Sequence, residues 1–113
     1  MLTSGDIVRL DLGQPKGREA GYLHPAVVIT AQRILDAQPT VIQVVPLTST
    51  LRGFHAEIVI EPDSINGLVT SSSAQCQHVR AVSPDRVDHV LGNVGPLSLS
   101  QVRETLAVII DLA

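Results

Sequence analysis

Two segments decide how this chain folds: His24-Pro25-Ala26-Val27-Val28-Ile29-Thr30 and Val44-Val45-Pro46-Leu47-Thr48-Ser49-Thr50. Each is an apolar run joined to a small polar cluster. The first carries His24 where a strand would begin, and the second carries Thr48, Ser49 and Thr50 where one would end. Proline suits the first residue of a strand, and Pro25 restrains His24 to an extended backbone. The run after Pro25 lacks polar alternation, which predicts a strand covered on both faces. If the two strands lie antiparallel and adjacent, His24 and Thr48 emerge at one edge of a sheet.

Working outward, residues 6–12 alternate as a half-buried strand, and residues 13–23 form a long loop with three glycines, a proline and several charges. Residues 31–38 allow one or two helical turns. Further strands are predicted at 40–46, 56–60, 68–72 and 75–82, with Asn66-Gly67 as a turn between the second and third of these. Ser83-Pro84-Asp85-Arg86 can cap a helical turn, and Gly92-Asn93-Val94-Gly95 reads as a brief edge strand. Near the C-terminus, Ser98 and Gln101 fit a capping box, with Leu97 and Val102 as its hydrophobic staple. Leu99, Val102, Leu106, Ile109 and Ile110 then fall on one helical stripe. The expectation is a mainly β domain with a C-terminal α-helix, its sheet bent into a small open barrel.

Composition narrows the function. The 113 residues make a single domain, 1–113, long enough for one core without staples. No apolar window is long enough for a membrane span, and residues 1–6 show no secretory pattern, so the expected location is cytoplasmic. One cysteine, Cys76, excludes an internal disulfide and reads as a half-buried strand thiol. The histidines at 24, 55, 78 and 89 show no helical ligand spacing, so neither a metal nor a cofactor is expected. The net charge of −3 argues against a general nucleic-acid coat protein. With Tyr22 and Phe54 as the aromatic residues, any RNA must be held mainly through phosphates and base edges.

The His24 edge has the parts for metal-independent cleavage of RNA. Imidazole exchanges protons near neutral pH. The hydroxyls of Thr48, Ser49 and Thr50 can hold a phosphate oxygen, and Arg52 offers a planar cationic fork. Lys16 and Arg18 add positive charge in the preceding loop, where Glu19 can orient a base or accept a proton. The same residues also fit a solvated loop beside ordinary turn chemistry.

The ordered set Gly5-Asp6-Ile7-Val8, Asp11-Leu12, Lys16-Gly17-Arg18-Glu19 and Pro25-Ala26-Val27-Val28-Ile29 resembles the first half of MazF/PemK-type toxins of toxin–antitoxin pairs. Val44-Val45-Pro46-Leu47-Thr48-Ser49, Arg52-Gly53, Val79-Arg80-Ala81-Val82, Arg86, Gly92 and the apolar C-terminal helix continue the resemblance over nearly the whole chain. It implies an SH3-like (CcdB/PemK-type) small barrel, a homodimer, and sequence-specific cleavage of single-stranded RNA. It also implies inhibition by a cognate antitoxin whose acidic, disordered tail lies across the RNA groove.

By that resemblance Thr48 takes the position of the family's catalytic threonine. Glu19 takes that of its acidic loop residue, and Lys16-Gly17 that of its loop start. His24 stands where the family carries its catalytic arginine. His78 replaces a frequent glutamine, and Gln77 replaces an acid. The catalytic candidates are therefore His24 and Thr48, with Lys16, Arg18, Glu19, Ser49 and Arg52 as substrate-binding candidates. The same fold also carries CcdB-type toxins that bind gyrase without catalysis. That function, and an inactive relative that only binds antitoxin, are the alternatives.

Overall fold

A computed structural model describes residues 1–13 and 23–112. Its strands are β1 (Asp6–Asp11), β2 (Leu23–Val28), β3 (Ile42–Thr48), β4 (Glu57–Ile60), β5 (Ser72–Gln75), β6 (Arg80–Val82) and β7 (Val87–Asn93). A short helix, α1 (Gln32–Leu35), follows β2, and a longer one, α2 (Gly95–Ile109), closes the chain. All strand pairs are antiparallel. The sheet runs β4-β5-β3-β2-β1-β7, with β6 also on β3. The mainly β fold with a C-terminal helix is the one expected.

Unbroken apolar character in β2 has a direct cause. Val27 packs in one core with Ile7, Val45, Leu47, Ile60, Ala74 and Cys76, covered by Leu99 and Val102 of α2. Ala26 and Val28 point the other way, into a second core with Val8, Leu10, Leu35, Ile42, Val44 and Val82. Alternating side chains of one strand thus feed two cores, so every position from Ala26 to Val28 must be apolar. β2 begins at Leu23, two residues before Pro25. Its ladder to β3 starts at Ala26, beyond Pro25.

β3 is the strand on which the sheet turns. Ile42–Val44 pairs with β6, and Leu47 and Thr48 pair with β5. The two partners belong to one stretch of chain, interrupted by a 3-10 turn at Cys76–His78. The predicted strand at 75–82 is therefore split. The turn takes up the extra residues between the two registers, and Cys76 N–H donates to Ala56 O at 3.1 Å. Cys76 itself is fully buried rather than half-buried, and its thiol pKa is pushed up to about 11 by that burial.

Three further expectations are corrected. Residues 68–71 are not a strand; β5 starts at Ser72. Asn66, almost wholly buried, captures the local backbone instead. Its Oδ1 accepts from Leu68 N at 3.0 Å and its Nδ2 donates to Glu61 O at 2.8 Å. The brief strand at 92–95 is the end of the longer β7, which lies along β1. Finally, α2 starts at Gly95, so Ser98 is inside the helix and the capping box does not form. Asn93 Oδ1 takes the Gly95 N–H at 2.8 Å, and Pro96 presets the first turn. Leu97 is exposed, and the stripe is buried only at Leu99 and Val102. The 3-10 turn at Pro84–Arg86 is capped by Ser83 as expected.

Gly92 lets the 63–68 loop seat on β7. A methyl group there would collide with the backbone of Ile65 and Asn66. Gly92→Ala is expected to lower stability by about 1–3 kcal/mol, the usual cost of overpacking. Urea unfolding measures it, and unchanged stability would show that the loop is not held against β7.

Candidate RNA-processing site

The β2–β3 register places Ala26 opposite Pro46 and Val28 opposite Val44. The ladder ends at Ala26 and Pro46, and the same register continued by two residues would bring His24 opposite Thr48. Alternation gives both the face of the second core, at the end where its apolar residues run out. The register on the other side of β3 pairs Thr48 with Ser73, and β4 pairs Glu57 with Gln75. Ala74 and Ile60 belong to the α2-covered core, so Ser73 and Glu57 face the opposite way, with Thr48. A polar row therefore crosses four strands: His24, Thr48, Ser73 and Glu57.

His24 is half-buried, and its Nδ1 lies 2.9 Å from the carbonyl oxygen of Pro25. A carbonyl only accepts, so this contact places a proton on Nδ1. In the neutral ring Nε2 then carries the lone pair, as a general base requires. Thr48 Oγ1 accepts from the Thr50 N–H at 3.1 Å, which leaves its own hydroxyl proton to donate. Ser49 is exposed at the end of β3. Lys16, Arg18 and Glu19 lie outside the described residues.

Glu57 anchors the far end of the row. Its side chain is 1% exposed. Oε2 accepts from Arg52 Nη2 at 2.8 Å and from Gln77 Nε2 at 2.7 Å. Oε1 accepts from Ser73 Oγ at 3.0 Å. The Gln77 hydrogen bond, followed by those of Ser73 and Arg52, holds the carboxyl pKa below its ordinary 4.5, against the opposing effect of burial. Arg52 is thus not a free surface cation. It is tied to Glu57, and its guanidinium carbon sits 5.0 Å from the centre of the exposed Phe54 ring.

Sequence reasoning singled out neither Glu57 nor Ser73 as site residues, and it noted Gln77 only as a replacement. The available signal was an acid opening an apolar strand, with serines in the strand that follows. Its meaning depends on the β4–β5 register, which composition does not supply. His55, His78 and His89 are exposed. Among the described residues no group of three or more His, Cys, Asp or Glu side chains could hold a metal ion.

A lowered carboxyl pKa has a defined consequence for stability. Glu57 contributes fully above its unfolded value near 4.5, and that contribution is lost as pH falls through the lower folded value. Glu57→Gln removes the charge at all pH. The stability gap between wild type and this variant should be largest at neutral pH and close under acid, which urea unfolding at stepped pH would measure. A pH-independent gap would contradict the paired carboxylate.

Comparison with known proteins is consistent with this architecture. A family model described as PemK-like, MazF-like toxin of type II toxin–antitoxin systems matches residues 3–110. The chain is 32% identical to Endoribonuclease MazF9 of Mycobacterium tuberculosis, over 99% of its own length and 98% of that protein's. An endoribonuclease solved in complex with its cognate antitoxin, from a mycobacterial species, superposes with a TM-score of 0.77 at 18% identity, covering 100% of this chain and 98% of that one. MazF from Deinococcus radiodurans gives a TM-score of 0.73 at 24% identity, covering 96% and 94%. With a sequence match spanning nearly its whole length and a fold shared with MazF toxins, this chain belongs to the PemK-like, MazF-like toxin family of type II toxin–antitoxin systems.

Proposed function

We propose that the protein is an endoribonuclease toxin that cleaves single-stranded RNA at short sequences without a metal ion. The observation that carries this reading is the β2–β3 register, whose last pair, Ala26 and Pro46, lies two residues from His24 on one strand and from Thr48 on the other. His24 Nε2 takes the proton of a ribose 2′-hydroxyl. The 2′-oxygen attacks the adjacent phosphorus, the bond from phosphorus to the 5′-oxygen breaks, and that oxygen leaves with a proton from solvent. The products are a 2′,3′-cyclic phosphate and a 5′-hydroxyl. Thr48 donates its hydroxyl proton to a non-bridging oxygen as charge builds on the phosphorane. Arg52 supplies a fixed positive fork, and Ser49 an exposed hydroxyl for the backbone. Lys16, Arg18 and Glu19, which precede β2 in the chain, complete the substrate contacts.

Histidine in the position of the family's arginine alters the division of labour. Guanidinium keeps its proton, so it serves as a charge; imidazole gives and takes one. Proton transfer thus concentrates on His24, and phosphate charge on Arg52, Lys16 and Arg18.

A homodimer and a cognate antitoxin with an acidic, disordered tail are the partners proposed on family grounds, with a cytoplasmic location and no membrane association. No helix among the described residues is long and apolar enough to cross a membrane. One feature favours a second reading, a CcdB-like toxin that binds gyrase. The C-terminal end of α2 exposes Val108, Ile110 and Leu112. A surface of this kind suits a protein partner.

Incubation with a panel of labelled single-stranded RNAs in EDTA separates the two. Cleavage leaving 5′-hydroxyl ends is expected, with none for His24→Ala and a loss of about 100-fold for Thr48→Val, the scale of one lost oxyanion donor. Both variants should keep the wild-type fold by circular dichroism. Full cleavage by His24→Ala would remove His24 from the mechanism. Inhibition of supercoiling with no RNA cleavage would support the gyrase-binding reading.

A further inference from the structure

We propose that Glu57 is a positioning residue of the RNA-cleaving site: its carboxylate aims the Arg52 guanidinium at the phosphate beside Thr48. This rests on the cleavage reading above. The connection is continuous. Thr48 pairs with Ser73 across β3 and β5, Ser73 donates to Glu57, and Glu57 accepts from Arg52.

A carboxylate beside a phosphate site would ordinarily repel the substrate. Here its charge is shared among three donors, two of them the neutral groups of Ser73 and Gln77. Its side chain is almost wholly shielded from solvent, whereas that of Arg52 is 39% exposed. One terminal nitrogen of Arg52 is committed to Glu57. A guanidinium has five N–H donors in a rigid plane, so fixing one terminal nitrogen while Phe54 lies against the group sets where the others point. The entropy of ordering a long side chain is then spent on folding rather than on binding substrate. The three-donor arrangement also explains why an acid occupies a site built for an anion. Without it, Arg52 would be an untethered cation on a loop.

A positioning role makes a specific demand on paired mutants. Glu57→Gln should lower kcat/KM about 10-fold or more, the scale of a charge-assisted hydrogen bond. Arg52→Ala should do the same, and adding Glu57→Gln to it should cost little more, because Glu57 acts through Arg52. Arg52→Lys keeps the charge but loses the fork, so it should lose about as much as Arg52→Ala. Independent losses that multiply in the double variant would overturn the proposal, as would full activity of Arg52→Lys. If Glu57→Gln does not fold, the lysine variant still decides.

The clamp is also measured without RNA. In nitrogen-15 NMR the Arg52 terminal N–H protons should be resolved in wild type and averaged in Glu57→Gln. Averaged signals in wild type would overturn the clamp. Resolved signals in a protein that cleaves no RNA would refute the cleavage reading and this proposal together. Multiplying losses in a cleaving enzyme would refute this proposal alone.

Discussion

The antiparallel register between β2 and β3, with Ala26 against Pro46 and Val28 against Val44, is the constraint on which both packing and site depend. A slip of one residue would exchange the two faces of either strand. Val27 and Val45 would leave the core under α2, and Ala26, Val28 and Val44 would leave the core behind it. The same slip would separate His24 from Thr48. Because both faces of β2 are apolar, the fit of its side chains in two differently shaped cores, rather than polarity, fixes the register. The site inherits that precision because it lies two residues beyond the last paired apolar positions.

From this register the rest of the row follows through β3. Its first residues pair with β6 and its last two with β5, and the 3-10 turn at Cys76–His78 allows one stretch of chain to serve both. Ser73 lies opposite Thr48 in β5, and Gln77, within the turn, donates to Glu57. A continuous strand through residues 75–82 would have kept a single register along β3. The buried Glu57 takes one of its donors from the turn itself. Its charge is tolerated because three hydrogen-bond donors meet it, two of them neutral.

Legibility in the sequence followed the range of the forces involved. The strands at β1, β2, β3 and β4, the turn at Asn66-Gly67 and the Ser83 cap were readable because each rests on local periodicity or turn chemistry. That β2 and β3 lie adjacent and antiparallel was readable from their two apolar runs. The start of α2 was misplaced because Asn93, outside the apparent capping box, takes the first helical N–H. Residues 68–71 read as a strand, but the buried Asn66 side chain takes the Leu68 N–H, and β5 starts only at Ser72. Glu57 escaped notice for the same long-range reason: an acid at the head of an apolar strand ordinarily marks an exposed edge. Its role here depends on Arg52, Ser73 and Gln77 converging from other parts of the chain.

In the proposed mechanism His24 moves the proton, Thr48 holds the phosphate oxygen, and both act on one bound strand. A titration by nitrogen-15 NMR, using a copy of a cleaved RNA in which the attacking 2′-hydroxyl is replaced by hydrogen, tests it most directly. The account predicts that the His24 ring and the Thr48 and Ser73 amides shift together, with a single affinity. Binding that moves other residues and leaves His24 and Thr48 unperturbed would contradict it.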